Sequence, residues 1–234
     1  MIRSVAVTQS TNDDMAALAK AGAAEGCWLW AEHQTAGRGR QGRLWSPAPG
    51  NLYASTLVRL LPGDPPAPSL ALVAAVALDA ALLPFTGPDR LRIKWPNDLM
   101  LDNAKLSGIL LEREGDAIIA GFGVNLAHAP IIPDRATISL AEAGLAYPTP
   151  GELVETLKHR FAEYIALWRA EGLAAIADQW SKRSFPLGTM MRAWLPDGNA
   201  CDGMFDGMAP DGALRLRRAS GSVETIHAGD VFLI

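Results

Sequence analysis

The chain has 234 residues, a length that suits one large domain or a large domain followed by a small one. With 49% hydrophobic and 20% charged residues, its composition is that of a globular protein. A net charge of −4 argues against general nucleic-acid binding, for which a basic domain is expected, and leaves room only for local basic patches.

The N-terminal part of the chain is predicted to alternate between strands and helices. Apolar residues at every second position indicate strands, helical spacing indicates helices, and Ser10-Thr11-Asn12-Asp13 supplies residues that start a helix. In chain order we expect a strand over 2–7, a helix over 15–20, a strand over 27–31, a loop over 35–51, a strand over 52–58 and a helix over 69–83.

The middle of the chain is predicted to form short strands and then helices, and the pattern changes after Pro186. We expect strands over 91–94, 99–101, 106–112 and 117–125, a loop over 126–140, and helices over 151–169 and 173–182. Later turns such as Pro196-Asp197-Gly198 separate short apolar-polar segments, which is typical of a small antiparallel barrel. The predicted domains are therefore 1–185 and 186–234.

Several features favour a soluble, cytoplasmic protein with no membrane partner. The apolar run 70–83 is interrupted by Asp79 and is shorter than the roughly 20 residues that a membrane span needs. The first seven residues are too short and polar for a signal peptide. Cys27 and Cys201 lie far apart without metal-like spacing, which indicates reduced thiols.

The segment 37–43, called the arginine loop below, is the first candidate site. It holds three arginines and three glycines in seven residues, Gly37-Arg38-Gly39-Arg40-Gln41-Gly42-Arg43. Such a loop can bring backbone N–H groups and guanidinium groups close to an anion. Its spacing is neither a Walker A motif nor a dinucleotide fingerprint. A solvated surface loop and an RNA contact are the alternatives that the residues alone leave open.

A second candidate site combines Lys94-Trp95-Pro96-Asn97-Asp98 with Lys105-Leu106-Ser107-Gly108. Pro96 forces Trp95 out of helical geometry, and Asn97 and Asp98 favour a turn. A tight hairpin explains these residues but not why Lys94 and Lys105 flank the turn. Lysine is a compact cation with rotatable donors, which suits contact with a phosphate or a carboxylate.

Two further patterns are compatible with a ligand pocket. Ser10-Thr11-Asn12, with Gln34 downstream, offers hydroxyl and amide groups, although a helix N-cap also explains the first two residues. Gly121-Phe122-Gly123-Val124-Asn125 is a predicted strand whose glycines leave space for a flat ligand. A buried strand with a glycine kink is the alternative.

Together these patterns resemble the catalytic domain of biotin protein ligases, which attach biotin to a lysine of carboxylase carrier domains. That family carries a GRGRRGR stretch followed by Trp, a Ser-Pro pair and Asn-Leu-Tyr. This chain has the arginine loop, then Trp45, Ser46-Pro47 and Asn51-Leu52-Tyr53 in that order, and departs at Gln41, where the family often has arginine.

The resemblance implies the fold and the reaction. The expected fold is α+β, a class II aminoacyl-tRNA synthetase-like catalytic domain with a small C-terminal SH3-like β-barrel. The first catalytic strand starts at Ile2, so we expect the ligase-only type, without the N-terminal DNA-binding domain of repressor members and without a DNA partner. The reaction would use MgATP to form biotinyl-5′-AMP and transfer biotin to a carrier of the acetyl-CoA carboxylase type.

The resemblance also assigns roles to residues. Lys105 and Arg40 would be catalytic, and Asp98 would hold Mg²⁺ through water. The residues assigned to biotin are Ser10, Thr11, Asn12, Gln34, Gly37, Arg38, Gly39, Arg40, Lys105 and Gly108. Those assigned to ATP or the adenylate are Arg38, Arg40, Arg43, Trp45, Lys94, Asn97, Lys105 and Asn125. The loop 127–137 would cover adenine.

Three alternatives remain at this point. A lipoate ligase shares the fold and attaches a different cofactor. A non-enzymatic nucleic-acid-binding protein could use the arginine loop and the barrel, against the acidic balance of the chain. A biotin-sensing or storage protein would keep the pocket without turnover. Family members are often dimers, so a homodimer is a further expectation.

Overall fold

The computed structural model describes residues 1–133 and 135–234. The described residues form three α-helices, twelve strands and two short 3₁₀ turns over Arg40–Gly42 and Ala67–Ser69. The helices are α1 (Thr11–Lys20), α2 (Leu70–Arg90) and α3 (Pro150–Arg183). The strands are β1 (Ile2–Thr8), β2 (Trp28–Gln34), β3 (Leu52–Arg59), β4 (Leu91–Lys94), β5 (Asp98–Leu101), β6 (Ala104–Glu114), β7 (Ala117–Val124), β8 (Met190–Trp194), β9 (Ala200–Met208), β10 (Leu214–Arg217), β11 (Val223–Ile226) and β12 (Asp230–Leu233).

The first seven strands form one mixed sheet in the order β1-β2-β3-β7-β6-β5-β4. Strands β1 and β2 run parallel, and the other neighbours run antiparallel. This combination of a mixed sheet with helices confirms the α+β class. In the β6–β7 register Gly108 lies opposite Gly123, so two residues without side chains meet on one face of the sheet.

Helices cover both faces of this sheet because its central strands are apolar on both sides. Leu57 of β3 and Ile119 of β7 pack with Met15 of α1 in a small core. Their neighbours Val58 and Ile118 point the other way, as successive strand residues must, and belong to the main core with α2 and α3. Because α1 is short, it leaves part of its face of the sheet free.

Helix α2 is the buried helix that the apolar run predicts. Together with the preceding turn it spans Ala67–Arg90, which is long and apolar enough to cross a membrane by length and composition, but 67% of its apolar window is buried inside the protein. Asp79, buried within α2, pairs with Arg183 of α3, Nε to Oδ2 at 2.7 Å. The helix passes the predicted end at residue 83 and is interrupted at Gly87, which has φ 69°.

Two other helix boundaries differ slightly from the sequence prediction. Helix α1 begins at Thr11 rather than at residue 15, because the Ser10 hydroxyl accepts a hydrogen bond from the backbone N–H of Asp13 and caps the helix. The two helices predicted after residue 150 form the single range of α3, whose backbone is non-helical at Gly172 with φ 77°. The glycine therefore marks the predicted break.

The last five strands form an antiparallel sheet in the order β11-β10-β9-β8-β12. The turns Pro196-Asp197-Gly198 and Pro210-Asp211-Gly212 fall between strands, with φ 85° at Gly198 and 89° at Gly212, values that glycine adopts readily. This sheet packs against the first part of the chain. The indole N–H of Trp95 donates to the carbonyl of Gly212 at 3.0 Å, and Trp180 of α3 meets Phe205 edge to face with centroids 6.2 Å apart.

Candidate active site

A cavity of about 490 Å³ opens on the face of the large sheet that α1 leaves partly free. This volume lies within the range of small-molecule sites in proteins. Of the candidate residues named from the sequence, the cavity is lined by Ser10, Thr11, Asn12, Gln34, Arg38, Gly39, Arg40, Arg43, Trp45, Lys94, Asn97, Asp98, Lys105, Gly108 and Asn125. Gly37 does not line it. That glycine is buried against Gln34, whose amide nitrogen would lie 2.2 Å from an added Cβ atom.

One end of the cavity is a buried network of uncharged polar groups where α1 begins. Gln34 Oε1 accepts hydrogen bonds from the backbone N–H of Thr11 at 2.8 Å and from its hydroxyl at 3.1 Å. The hydroxyl of Ser55 lies 2.8 Å from Thr11 Oγ1 and 2.7 Å from Asn12 Oδ1. The network therefore fixes the orientation of both amide side chains, and Ser55 is a member that the sequence analysis missed.

Acidic residues connect this network to the arginine loop. Asn12 Nδ2 donates to Glu112 Oε2 at 2.6 Å, and Arg38 Nη2 lies 3.4 Å from Glu112 Oε1. Arg38 also makes a two-pronged contact with Asp13, at 2.8 and 2.5 Å. The hydrogen bonds that Arg38 donates to Asp13 and the nearby charge of Glu112 raise the pKa of Arg38. Arg38 thus has two acidic partners within the protein, and its assigned contacts with ligands stay predictions.

The other end of the cavity holds two lysines around one carboxylate. Asp98 is buried between Lys105, Nζ to Oδ1 at 2.6 Å, and Lys94, Nζ to Oδ2 at 3.1 Å. Burial by itself would raise the pKa of Asp98, but the two ammonium groups outweigh it and hold that pKa well below its usual range. Burial lowers the pKa of Lys105, and Asp98 opposes that effect. Two cations against one anion leave this end suited to a negatively charged ligand.

The surroundings of Asp98 do not fit a resident metal ion. Both carboxylate oxygens already contact an ammonium group, and a cation placed there would be repelled by Lys94 and Lys105. Within residues 1–133 and 135–234, no group of three or more His, Cys, Asp or Glu side chains could hold a metal. Asp98 is thus the partner of two lysines and not a direct metal ligand, and its contact with Mg²⁺ through water stays a prediction.

The indole of Trp45 packs closely over the glycine pair of β6 and β7, Gly108 and Gly123. A Cβ atom added to Gly123 would lie 2.4 Å from Trp45 Cε2, and one added to Gly108 would lie 3.1 Å from Cζ3. The ammonium of Lys105 is 5.7 Å from the centre of the indole ring. Within the described part of the chain, the buried indole nitrogen of Trp45 has no hydrogen-bond partner. The glycines therefore make room for an aromatic ring beside the cationic end of the cavity.

The arginine loop folds back on itself at the mouth of the cavity. The backbones of Arg38 and Leu44 form an isolated antiparallel β-bridge, and the N–H of Gly39 donates to the carbonyl of Arg43 at 2.7 Å. The reversal needs two left-handed residues, Gln41 with φ 58° and Gly42 with φ 70°. Glycine adopts this left-handed backbone conformation easily because it has no Cβ atom. Gln41 is unusual because residues with a side chain rarely adopt it.

Strand β12 supplies a wall of the cavity that no sequence pattern indicated. Asp230, Val231 and Phe232 line it. The ring of Phe232 lies 5.7 Å from the Lys94 ammonium and 5.0 Å from the guanidinium of Arg135. The only local signal was the alternation of a short strand, which says nothing about the distant residues that it meets.

Asn125 and Asn51 hold the loop that follows β7. The amide of Asn125 donates to the carbonyls of Lys105 at 3.4 Å and Ile138 at 3.2 Å. The side-chain oxygen of Asn51 accepts from the backbone N–H groups of residues 126, 127 and 128, at 3.0, 3.0 and 3.2 Å. Asn125 is thus tied to backbone groups. Asn51 appears in the sequence only as part of the Asn-Leu-Tyr motif, and its role in holding this loop could not be predicted from that motif.

Comparisons with known proteins agree with this geometry. Residues 4–126 match the model of the biotin/lipoate A/B protein ligase family, and residues 191–234 match the biotin protein ligase C terminal domain. The chain is 38% identical over 240 residues to the biotin--[acetyl-CoA-carboxylase] ligase of Paracoccus denitrificans, covering 97% of this chain and 98% of that protein.

Solved structures share the fold along nearly the whole chain. A biotin protein ligase from Aquifex aeolicus in complex with biotin and ATP superposes with a TM-score of 0.86 at 23% identity, covering 100% of this chain and 99% of the other. A biotin protein ligase from Leishmania major in complex with biotinyl-5-AMP superposes with a TM-score of 0.70 at 25% identity, covering 97% and 98%. Because its sequence matches the family model and is similar over nearly its whole length to the Paracoccus denitrificans enzyme, the chain belongs to the biotin/lipoate A/B protein ligase family.

Proposed function

We propose that this protein is a biotin protein ligase, which activates biotin with MgATP and transfers it to a lysine of a biotin carboxyl carrier domain of the acetyl-CoA carboxylase type. The observation that carries the proposal is the two-ended cavity. A buried network of uncharged polar groups lies at one end, and Lys94, Asp98 and Lys105 lie at the other. Biotin has a polar head group at one end and a carboxylate at the other.

The uncharged end suits the ureido ring of biotin. That ring has two N–H donors and one carbonyl acceptor, and a closed pocket must satisfy all of them because unpaired buried polar groups are costly. Ser10, Thr11 and Gln34 offer hydroxyl and amide groups that are themselves buried. Lipoate carries an apolar ring at the corresponding end, which cannot hydrogen-bond with the remaining donors and acceptors of these groups, and this favours biotin over lipoate.

The cationic end suits formation of the adenylate. A carboxylate oxygen of biotin attacks the α-phosphorus of ATP, a new P–O bond forms, and the bond to pyrophosphate breaks. No nucleophile of the enzyme takes part, so catalysis comes from orientation and from cations placed where phosphate charge develops. Lys105 and Arg40 are the proposed catalytic residues, with Lys94 supporting the phosphates.

The second step needs protection from water. The amine of the carrier lysine attacks the carbonyl carbon of the mixed anhydride, a C–N bond forms, and AMP leaves with the electrons of the broken C–O bond. Until the carrier arrives, water is a competing nucleophile, and the arginine loop at the mouth of the cavity would exclude it.

We also propose the finer features that the resemblance implies. The first sheet and its helices would form a class II aminoacyl-tRNA synthetase-like domain over 1–185, and the second sheet an SH3-like barrel over 186–234. The enzyme would work in the cytoplasm, in keeping with the buried apolar helix and the free thiols of Cys27 and Cys201. A homodimer and the absence of a DNA partner complete the proposal.

The test is ATP-dependent transfer of biotin to a purified carrier domain, with lipoate as the competitor. We expect biotin to be transferred and lipoate to be ignored. Transfer of lipoate would make the protein a lipoate ligase. Tight biotin binding without adenylate or transfer would make it a sensor or storage protein, and a salt-dependent electrophoretic shift of nucleic acid without either would point to a nucleic-acid-binding protein.

A further inference from the structure

The geometry points to Asp230 of strand β12 as a positioning residue that holds the arginine loop over the cavity. It does so by pairing with Arg43, which leaves Arg40 as the arm of the loop that reaches the ligand. The inference rests on the proposed ligase function and deepens it. It assigns different roles to the three arginines and makes the C-terminal sheet part of the active site.

Each arginine of the loop has a different degree of restraint. Arg38 is held by Asp13 of α1 through two hydrogen bonds. Arg43 Nη2 forms a close ion pair with Asp230 Oδ2 and a hydrogen bond with Gln41 Oε1 at 2.8 Å. These two arginines tie the loop to the protein at its start and at its end.

Arg40 is the arginine with the weakest restraint. Its Nη1 lies 3.6 Å from Asp230 Oδ1 and 3.5 Å from Asn97 Oδ1, both beyond the range of a good hydrogen bond. Its side chain lines the cavity and is 29% exposed. A guanidinium held this loosely keeps its donors available for a carboxylate or phosphate.

The position of Asp230 is set by the C-terminal sheet and not by the loop. Strand β12 pairs with β8, with Asp230 opposite Trp194. Its neighbour Val231 is buried in the core, and Phe232 lies two residues along on the same side of the strand, against Lys94. A carboxylate on such a strand is a fixed point to which a loop can be fastened.

Gln41 supports the pairing through its unusual backbone. Its left-handed conformation turns the loop so that its amide oxygen accepts from Arg43. An arginine at this position would have no acceptor to offer and would place a third cation beside Arg43 and Arg40. In this chain the loop is therefore built to leave one arginine, Arg40, for the ligand.

The first experiment measures how long the enzyme retains biotinyl-5′-AMP. Asp230→Asn and Arg43→Gln are each expected to shorten the half-life of the bound adenylate, and to raise AMP formation without carrier, by about five-fold, the value of a partly exposed ion pair. The effect of the double variant should be smaller than the combined effects of the two single variants, because both single variants remove the Arg43–Asp230 pair. Arg40→Gln should instead slow adenylate formation.

The matched control is Asp202→Asn. Asp202 makes an exposed ion pair with Arg192 in the same sheet, Nη2 to Oδ2 at 2.6 Å, and does not line the cavity. It should retain the adenylate as the unaltered enzyme does. Effects of Asp230→Asn and Arg43→Gln that simply add, or an Asp230→Asn variant equal to the control, would overturn the inference.

A second readout does not depend on turnover. Trypsin cuts after arginine, so cleavage within the arginine loop of the ligand-free protein reports how often the loop opens. We expect cleavage in Asp230→Asn to be about five-fold faster than in Asp202→Asn. If the unaltered protein forms no adenylate, the proposed function fails while this comparison still decides the role of Asp230. Equal cleavage rates would overturn it.

Discussion

At the scale of single residues, carboxylates fix the positions of the lysine and arginine side chains in the site. Asp98 joins Lys94 and Lys105 in one buried group, and Asp13 holds Arg38. A lysine or arginine fixed in this way is already oriented when the ligand arrives, so little reorganisation is needed during the reaction.

We predict that Lys105→Ala lowers the rate of adenylate formation by at least ~10²-fold, as expected for the loss of one preorganised charge donor. The measurement is pyrophosphate release with saturating biotin and MgATP. Lys182→Ala is the control, because Lys182 makes an exposed ion pair with Asp178 on α3. Near-normal release by Lys105→Ala would refute the catalytic role.

Asp98→Asn is predicted to destabilise the fold by about 3 kcal/mol at neutral pH, because it leaves two lysines near one another without their carboxylate. Urea unfolding measures the difference. Asp102→Asn is the control in the adjoining turn, since its pair with Arg90 is exposed and should contribute less than about 1 kcal/mol.

The pH dependence of the Asp98→Asn difference has a definite sign. The folded protein lowers the pKa of Asp98 below its ordinary value of 3.8. The carboxylate therefore contributes its full stability above the ordinary value, and this contribution is lost as the pH falls through the lower, folded value. The gap between the unaltered protein and Asp98→Asn should shrink below about pH 4. A gap that stays constant or widens in acid would contradict the assignment.

At the scale of elements, the floor of the ligand cavity is formed by strands that carry glycine on the face towards the cavity. Gly121 and Gly123 of β7 lie on the face of the sheet that α1 leaves partly free, and Asn12 and Trp45 occupy the space above them. The same alternation that fills the opposite face with apolar side chains thus leaves a floor for a ligand.

We predict that Gly123→Ala displaces the Trp45 ring, since its Cβ would lie 2.4 Å from the indole. The KM for ATP should rise by about ten-fold or more, because a shift of roughly 1 Å in a positioned group has large kinetic effects. Steady-state kinetics provide the measurement. Gly151→Ala at the start of α3 is the control, because its Cβ meets nothing nearer than 3.7 Å. An unchanged KM in Gly123→Ala would show that Trp45 does not need this space.

Some helix boundaries can be predicted from local sequence, whereas others depend on tertiary contacts. The start of α1 at Thr11 depends on the Ser10 cap, a local interaction. The continuation of α2 past residue 83 rests instead on Phe85, which packs against the main core, and on buried Thr86, and the apolar run ending at residue 83 does not reveal these contacts. Burial in tertiary contacts stabilises helical residues beyond the point where propensity would end the helix.

At the scale of the whole molecule, the two sheets share one hydrophobic core. Residues of α2, of α3 and of the C-terminal strands belong to the same buried cluster, and Trp95 is hydrogen-bonded to the carbonyl of Gly212 in the turn before β10. A core that is continuous across two sequence regions couples their stability.

We therefore predict a single unfolding transition for the full chain. Tryptophan fluorescence and far-ultraviolet circular dichroism should give the same urea midpoint within error. A chain ending at residue 185 should be much less stable, because it would expose Trp180, which is 1% exposed in the intact protein. Two separate transitions, or a stable truncated chain, would show that the C-terminal sheet is energetically independent.

The strands and turns, the arginine loop, the paired lysines and the polar triplet can be predicted because they depend on residue type and on short spacing along the chain. Which charges meet depends on the tertiary fold. Arg43 and Asp230 are 187 positions apart, and Asn12 and Glu112 are 100 apart. Ion pairing depends on distance and burial. No spacing along the chain could therefore show that Arg43 meets Asp230 or that β12 closes the site.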